Sequence, residues 1–364
     1  MYHYVLRFAA VSLLLSAMMF SASGQDMARK SVFKRITLEH GLPAGKVSVI
    51  TQTRDGVMWF GTGAGFCKYD NGAITVYAPE SGSSFGNDVR AMYEDRSGTL
   101  WIGMFGGGMY RFDRVSGKLT QYKSGGLNTN TLSDDRVLSI LEDRDGTMWI
   151  GTVNGLNTFD RTNLNFSHIK YDPEVPLSLS ENRVWPLAED RAGNLWIGTL
   201  GGGLNKLDKS TGSIRVFRRD GSISNTLAGN SVTALYSDKS GKLWIGLESA
   251  GLDEFIHEKD EFDRQREEFR HHLHGMNISS ICEDTLGNIV VGTLGSGLKV
   301  VDKKTGVVTS FGNDPADQKT LGDNRVRCVF VDDEGILWIG TDTGGVNVVI
   351  QEEVKTTKRK RKIY

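Results

Sequence analysis

The stretch Asp143-Arg144-Asp145-Gly146-Thr147-Met148-Trp149-Ile150-Gly151-Thr152 returns, with small changes, from one end of this 364-residue chain to the other. With Trp149 as reference, the same column holds Trp59, Trp101, Trp196, Trp244, Val290 and Trp338. The seven copies are separated by 42, 48, 47, 48, 46 and 48 residues. A repeat of that length is one supersecondary unit that cannot cover its own apolar face, so neighbouring copies must stack.

Each column has a physical reading. The glycine three residues before the reference (Gly56, Gly98, Gly146, Gly193, Gly241, Gly287, Gly335) sits where a tight turn demands positive φ. Six copies carry an aspartate three residues earlier still (Asp95, Asp143, Asp190, Asp238, Asp284, Asp332), and the first has Thr53. A catalytic acid has no reason to recur in every unit, so these residues are expected to cap the turn by accepting its N–H groups. A second glycine follows the reference by two (Gly61, Gly103, Gly151, Gly198, Gly246, Gly292, Gly340), marking a bulge or the close approach of another segment. Apolar runs flank the turns on both sides, and no helical period occurs within the unit. Each copy therefore reads as four antiparallel strands, one blade of a β-propeller, with its tryptophan buried beneath the next blade.

The ends of the repeat suggest how the ring shuts. Val32 to Thr37 reads as a spare strand, and the seventh unit has three strands where the others have four. Pairing the spare strand into blade seven removes two open edges, which predicts an all-β, seven-bladed propeller over residues 32–350. Val290 keeps the apolar character of its column but is smaller. Blade six is expected to be packed by different neighbours or to be the loosest.

Before the propeller, Arg7, the apolar run Phe8 to Phe20 and the small residues Ser21-Ala22-Ser23-Gly24 form an export-signal pattern over residues 1–24, too short in its apolar part for a span. The expected location is periplasmic or secreted. No later stretch is apolar enough for a direct membrane span, and residues 351–364 are basic, without apolar pattern, as in a disordered tail. A net charge of −1 gives no general attraction to nucleic acid. Cys67, Cys282 and Cys328 fall in predicted strands and match no zinc spacing, and at most one disulfide is available to them. Between Asp253 and His274 the pattern lapses into dense charge ending in His271-His272-Leu273-His274. No carboxylate stands at a metal-ligand spacing from these histidines in sequence, so a solvated outer strand or loop is expected. Neither a metal nor another cofactor is expected.

The unit Asp-x-x-Gly-x-Leu-Trp-Ile-Gly-Thr-x-x-Gly-Gly-Leu, as in Asp190 to Leu204, with Leu38-Glu39-His40-Gly41-Leu42-Pro43 ahead of the first copy, resembles the two-component regulator propeller repeats. The resemblance covers roughly residues 30–350. It implies a periplasmic sensor region of a hybrid two-component system of gut Bacteroidetes. There, two such propellers and a β-sandwich precede a transmembrane helix, histidine kinase, receiver and DNA-binding regulator, and the ligands are typically oligosaccharides. The present sequence carries one propeller's worth of repeats, without a kinase or receiver motif. The expectation is the N-terminal sensor portion of a larger system, acting with a kinase-bearing membrane partner or as a homodimer. The alternatives are a free-standing exported propeller that docks a protein or peptide, and a glycan-active hydrolase or lyase. Against catalysis, the sialidase turn places its aspartate five residues before the tryptophan, whereas Asp145 and Asp143 stand four and six before Trp149, and no acid pair stands apart from the repeat.

A ligand site is expected where the loops entering each innermost strand converge at one mouth of the channel. The residue twelve before the reference is always aliphatic (Val47, Val89, Val137, Val184, Val232, Ile278, Val326). The next varies freely: Ser48, Arg90, Leu138, Trp185, Thr233, Ser279 and Arg327. Trp185 suits the apolar face of a sugar, and Arg90, Arg136, Arg183, Arg325 and Arg327 suit hydroxyls or a uronate carboxylate. The competing role for these arginines is surface pairing with Asp88, Asp135, Glu181 and Asp323.

Overall fold

The computed structural model describes residues 31–78, 88–125, 130–175, 178–259 and 265–351. The export-signal pattern and the basic tail beyond residue 351 lie outside these residues. Seven four-stranded antiparallel sheets follow one another around a ring. Blade three shows the plan, with Val137–Glu142 innermost, then Met148–Thr152, Gly155–Asp160 and Asn165–Ile169 at the outside. Blade seven is composite. Ser31–Ile36 forms its outer strand and pairs with Val346–Gln351 from Ser31↔Gln351 to Ile36↔Val346, so the first strand closes the ring as the sequence predicts.

The recurring aspartate does two jobs with its two oxygens. In the six blades that have it, one oxygen accepts the backbone N–H four residues on, as Asp143 Oδ1 does from Thr147 at 2.9 Å. That caps the turn whose Gly146 has φ 86°. The other oxygen accepts the indole N–H of the reference tryptophan, at 2.8 Å for Trp101, Trp149 and Trp196. In blade one, Trp59 donates to the Thr53 hydroxyl instead. Blade six has no indole, and there the Asn288 side-chain amide donates to Asp284 Oδ2 at 2.9 Å in its stead. A buried indole N–H needs a partner, and the turn cap supplies it.

The second glycine of the repeat marks close approach rather than a bulge. A Cβ on Gly61 would lie 2.6 Å from Val89 Cγ1 of the next blade. The same contact joins Gly103 to Val137, Gly151 to Val184, Gly198 to Val232, Gly246 to Ile278 and Gly292 to Val326. It ends with Gly340 against Val47, so the glycine–aliphatic contact runs through all seven junctions. Every one of these aliphatic side chains is fully buried.

Val290 is buried among Phe33, Leu298, Leu321, Val326 and Ile339. Blade six thus has different neighbours, one of them from the closing strand. The three cysteines are buried in strands and free, and burial pushes the Cys67 thiol up to about 12. Among the described residues no helix is long and apolar enough to cross a membrane.

Candidate functional site

The freely varying column is the bulge. In six blades the innermost strand shifts register by one residue between the core aliphatic and the next paired residue, as between Val137 and Ser139. In blade four the irregularity runs from Val184 to Leu187 and takes in Pro186. The extra residue is Ser48, Arg90, Leu138, Trp185, Thr233, Ser279 or Arg327, unpaired on the strand nearest the axis. Small side chains there bind the neighbouring blade: Thr233 Oγ1 donates to the Ile278 carbonyl and Ser279 Oγ to the Val326 carbonyl, both at 2.6 Å. Ser48 Oγ is buried without a partner. Arg90, Trp185 and Arg327 are too long to be absorbed in this way and stand at matching levels of blades two, four and seven.

Arg136, Arg183 and Arg325 stand immediately before the core valine, two residues before the bulge, in blades three, four and seven. Their carbonyls accept the N–H groups of Val153, Leu200 and Asp342 just past the second strand. The structure corrects most of the pairings expected for the arginines. Arg90 does bind Asp88, at 2.9 Å, and Lys46 reaches the same carboxylate at 2.9 Å from blade one. Arg136 pairs with Asp134 rather than Asp135, and Arg183 donates to the Leu200 carbonyl rather than to Glu181. Arg325 and Arg327 converge on Asp342, at 2.9 and 2.7 Å, whereas Asp323 accepts from Thr343. Burial would raise the Asp342 pKa, but the two arginines outweigh it and hold it low. Lys46 and Arg90 thus share Asp88, and Arg325 and Arg327 share Asp342, on blades seven, one and two, while Leu138 and Trp185 hold the bulge position of blades three and four.

The histidine-rich stretch ends the outermost strand of blade five, as expected, but His271 and His272 are half-buried rather than solvated. It is the outer half of a long hairpin, Gly251–Lys259 paired with Gln265–His272, and its Asp253 and Glu254 are buried. Cross-strand register brings together what sequence distance separates: His271 Nδ1 lies 2.7 Å from Asp253 Oδ1, and His272 Nε2 lies 3.4 Å from Glu254 Oε2. The second Asp253 oxygen accepts the Ala228 N–H at 2.8 Å. Asn157, Asn205 and Asn347 receive the same loop N–H in blades three, four and seven. The cluster thus anchors the loop entering blade five. Burial works against the charged His271 imidazole, but the Asp253 hydrogen bond and charge together with the Ser224 carbonyl outweigh it and raise its pKa.

On the opposite face, Asp143, Asp145 and Glu189 bring carboxylate oxygens close enough to hold a metal ion. Lys209 Nζ is already there, 2.8, 2.7 and 2.7 Å from the three. Burial disfavours its charge, yet the three acids outweigh burial and raise its pKa. Arg161 and Lys303 bridge Asp95 to Glu142 and Asp238 to Glu283 in the same way. An inter-blade clasp explains this acidic cluster better than a metal centre. Replacing Lys209 with alanine strands the buried Asp143 carboxylate and should cost about 3 kcal/mol. Thermal melts check this: an unchanged melting temperature would mean that the lysine bridges little.

Sequence comparison matches residues 41–64, 83–106, 131–154, 178–201, 226–249 and 320–343 to the family described as two component regulator propeller. Six of the seven blades thus match that repeat; the matched segments do not include the Val290 blade. No match was found among curated proteins. Among solved structures, the chain is similar to the extracellular domain of a hybrid two component system from B. thetaiotaomicron, with 25% identity and a TM-score of 0.72 over 87% of this chain and 41% of that one. The chain thus spans about two fifths of that domain. A second such domain from the same organism matches at 21% identity and a TM-score of 0.70, over 87% and 39% of the two chains. Virginiamycin B lyase from Staphylococcus aureus shares the fold, at 12% identity and a TM-score of 0.66 over 89% and 100% of the two chains. The class is therefore a propeller resembling extracellular sensor domains, and the resemblance is consistent with a place outside the cytoplasm.

Proposed function

We propose that this chain is the ligand-sensing propeller of a hybrid two-component system, acting outside the cytoplasm and binding an oligosaccharide at the channel mouth. Residues 1–24 direct export, residues 32–350 form the sensor, and residues 351–364 are a basic tail; a kinase-bearing membrane partner or a second copy of the chain completes the system. The observation that carries the reading is the bulge column. One position of the repeat holds an indole in blade four and guanidinium groups in blades two and seven, and short or aliphatic residues fill the remaining blades. Stacking on Trp185 and hydrogen bonds from Arg90 and Arg327 are the two kinds of contact a sugar needs. Arg136, Arg183 and Arg325 extend the same rim. No catalytic role is assigned, since the recurrent carboxylates are committed to turn caps and clasps.

Trp185→Ala and Arg327→Ala test it. Both should melt close to wild type, and each should weaken binding of the responsive glycan on an array or by calorimetry by ~1–3 kcal/mol. A melting loss as large as that for a repeat tryptophan would place Trp185 in the core. Undiminished glycan binding would move the site away from the mouth.

A further inference from the structure

In three blades the entering loop is pinned by two residues that face each other across the blade's two outer strands. The pairs are Asn157↔His168 in blade three, Asp253↔His271 in blade five and Asn347↔Arg35 in blade seven. The first member of each accepts a loop N–H, from Ser133, Ala228 and Gly322 at 2.9, 2.8 and 2.7 Å. The second meets a loop carbonyl: Thr131 for His168 at 2.7 Å, Ser224 for His271 at 2.9 Å and Thr320 for Arg35 at 2.9 Å. A further contact, from the N–H of Phe166, Phe269 or Phe33 to a loop carbonyl, is common to all three and does not titrate. Of these three pairs, that of blade five alone joins an acid to a base that titrates near neutrality.

That difference fixes the state of His271. Asp253 Oδ1 lies 2.7 Å from its Nδ1 and the Ser224 carbonyl 2.9 Å from its Nε2, so both ring nitrogens meet acceptors. A neutral imidazole has one N–H and one lone pair and satisfies only one of them, whereas the imidazolium satisfies both. When the ring is neutral, a lone pair faces an oxygen and the buried Asp253 carboxylate loses its counter-charge. We propose that Asp253 and His271 form a protonation-dependent latch, which holds residues 219–228 against the outer strand of blade five while the imidazole is charged and releases them when it is neutral. Arg35 keeps its charge over the same range, and His168 stands opposite a neutral asparagine, so blades three and seven lack the switch.

The surroundings set its direction. Asp253 is the charge that faces His271 from the adjacent strand, and Glu254 is turned to His272 instead. Arg219, Asp220 and His274 share a pocket of about 390 Å³ with His271, and the two histidine rings are 6.2 Å apart. Burial depresses the His271 pKa, and the Asp253 and Ser224 interactions more than restore it. The latch is therefore complete below the ordinary histidine pKa of about 6.5 and is lost as pH rises through the raised value. The loop runs on to Asn230, whose carbonyl accepts the Gly201 and Gly203 N–H groups, so release loosens the rim where blades four and five meet. The latch does not depend on the sugar-binding reading.

Amide hydrogen exchange on the whole chain, corrected for the intrinsic rate, tests this from about pH 6 to about pH 9. Protection at residues 224–228 should fall at least tenfold across that range, while residues 313–322, the loop held by Arg35, keep theirs. Asp253→Asn rebuilds the neutral anchor of blade three and should shrink the fall to less than twofold. His271→Arg copies Arg35 and should do the same, because its charge does not titrate, so a folding failure in one variant leaves the other decisive. Flat protection in the wild-type loop or an equal fall in both loops overturns the proposal. So does a tenfold fall that persists in a folded variant.

Discussion

Trp196→Ala is expected to lose about 4 kcal/mol of stability, at the upper end for a single side chain. Trp196 is 1% exposed, rests against Phe217 and Phe255, and donates its indole N–H to Asp190 at 2.8 Å. Truncation leaves a cavity between blades four and five and removes one of the two donors to an Asp190 oxygen, the other being the Asn194 amide, and large-to-small aromatic changes in such cores cost ~3–5 kcal/mol. Trp149→Ala should cost less, because its core cluster holds aliphatic side chains and no ring. Denaturant melts of the two variants give the ordering, and a Trp149 variant as damaged as the Trp196 variant would contradict this account of the blade junctions.

Removing the closing strand should be worse still. A chain starting at residue 37 loses Phe33 and Ile36, 5% and 3% exposed, and strips every partner from the outer edge of Val346–Gln351. It also uncovers Val290, whose neighbours include Phe33. Two buried side chains and a strand's hydrogen bonds together amount to roughly 5–10 kcal/mol, as much as a typical domain's whole stability. The expected result is loss of the cooperative transition, with self-association through the bared edge. Size-exclusion chromatography beside a thermal melt decides it, and a monomer melting near the full-length value would mean that the ring holds without its clasp.

The comparison with solved structures adds weight to a sensor role without naming a ligand. Relatives among sensor domains and a lyase share this ring, so the fold carries no chemistry by itself. What distinguishes one propeller from another is which side chains occupy the few positions released from packing. Here those positions are the bulge residues too long to be absorbed by a neighbouring blade, Arg90, Trp185 and Arg327.

The spacing of the tryptophans, the positive-φ glycines and the leftover strand at residues 32–37 determined the blade count, the strand order and the closure. Those features are local, and each repeat restates them, so a linear chain suffices to read them. Partners across blades were another matter. That His271 meets Asp253, that Arg325 and Arg327 share Asp342, and that Lys209 sits among three acids drawn from two blades all depend on register and on the angle between sheets. The aliphatic neighbours of Trp149, Leu156, Leu207 and Ile214, were written in the chain too. That they meet the indole was decided only once two sheets were laid face to face, because a packing contact belongs to neither side alone.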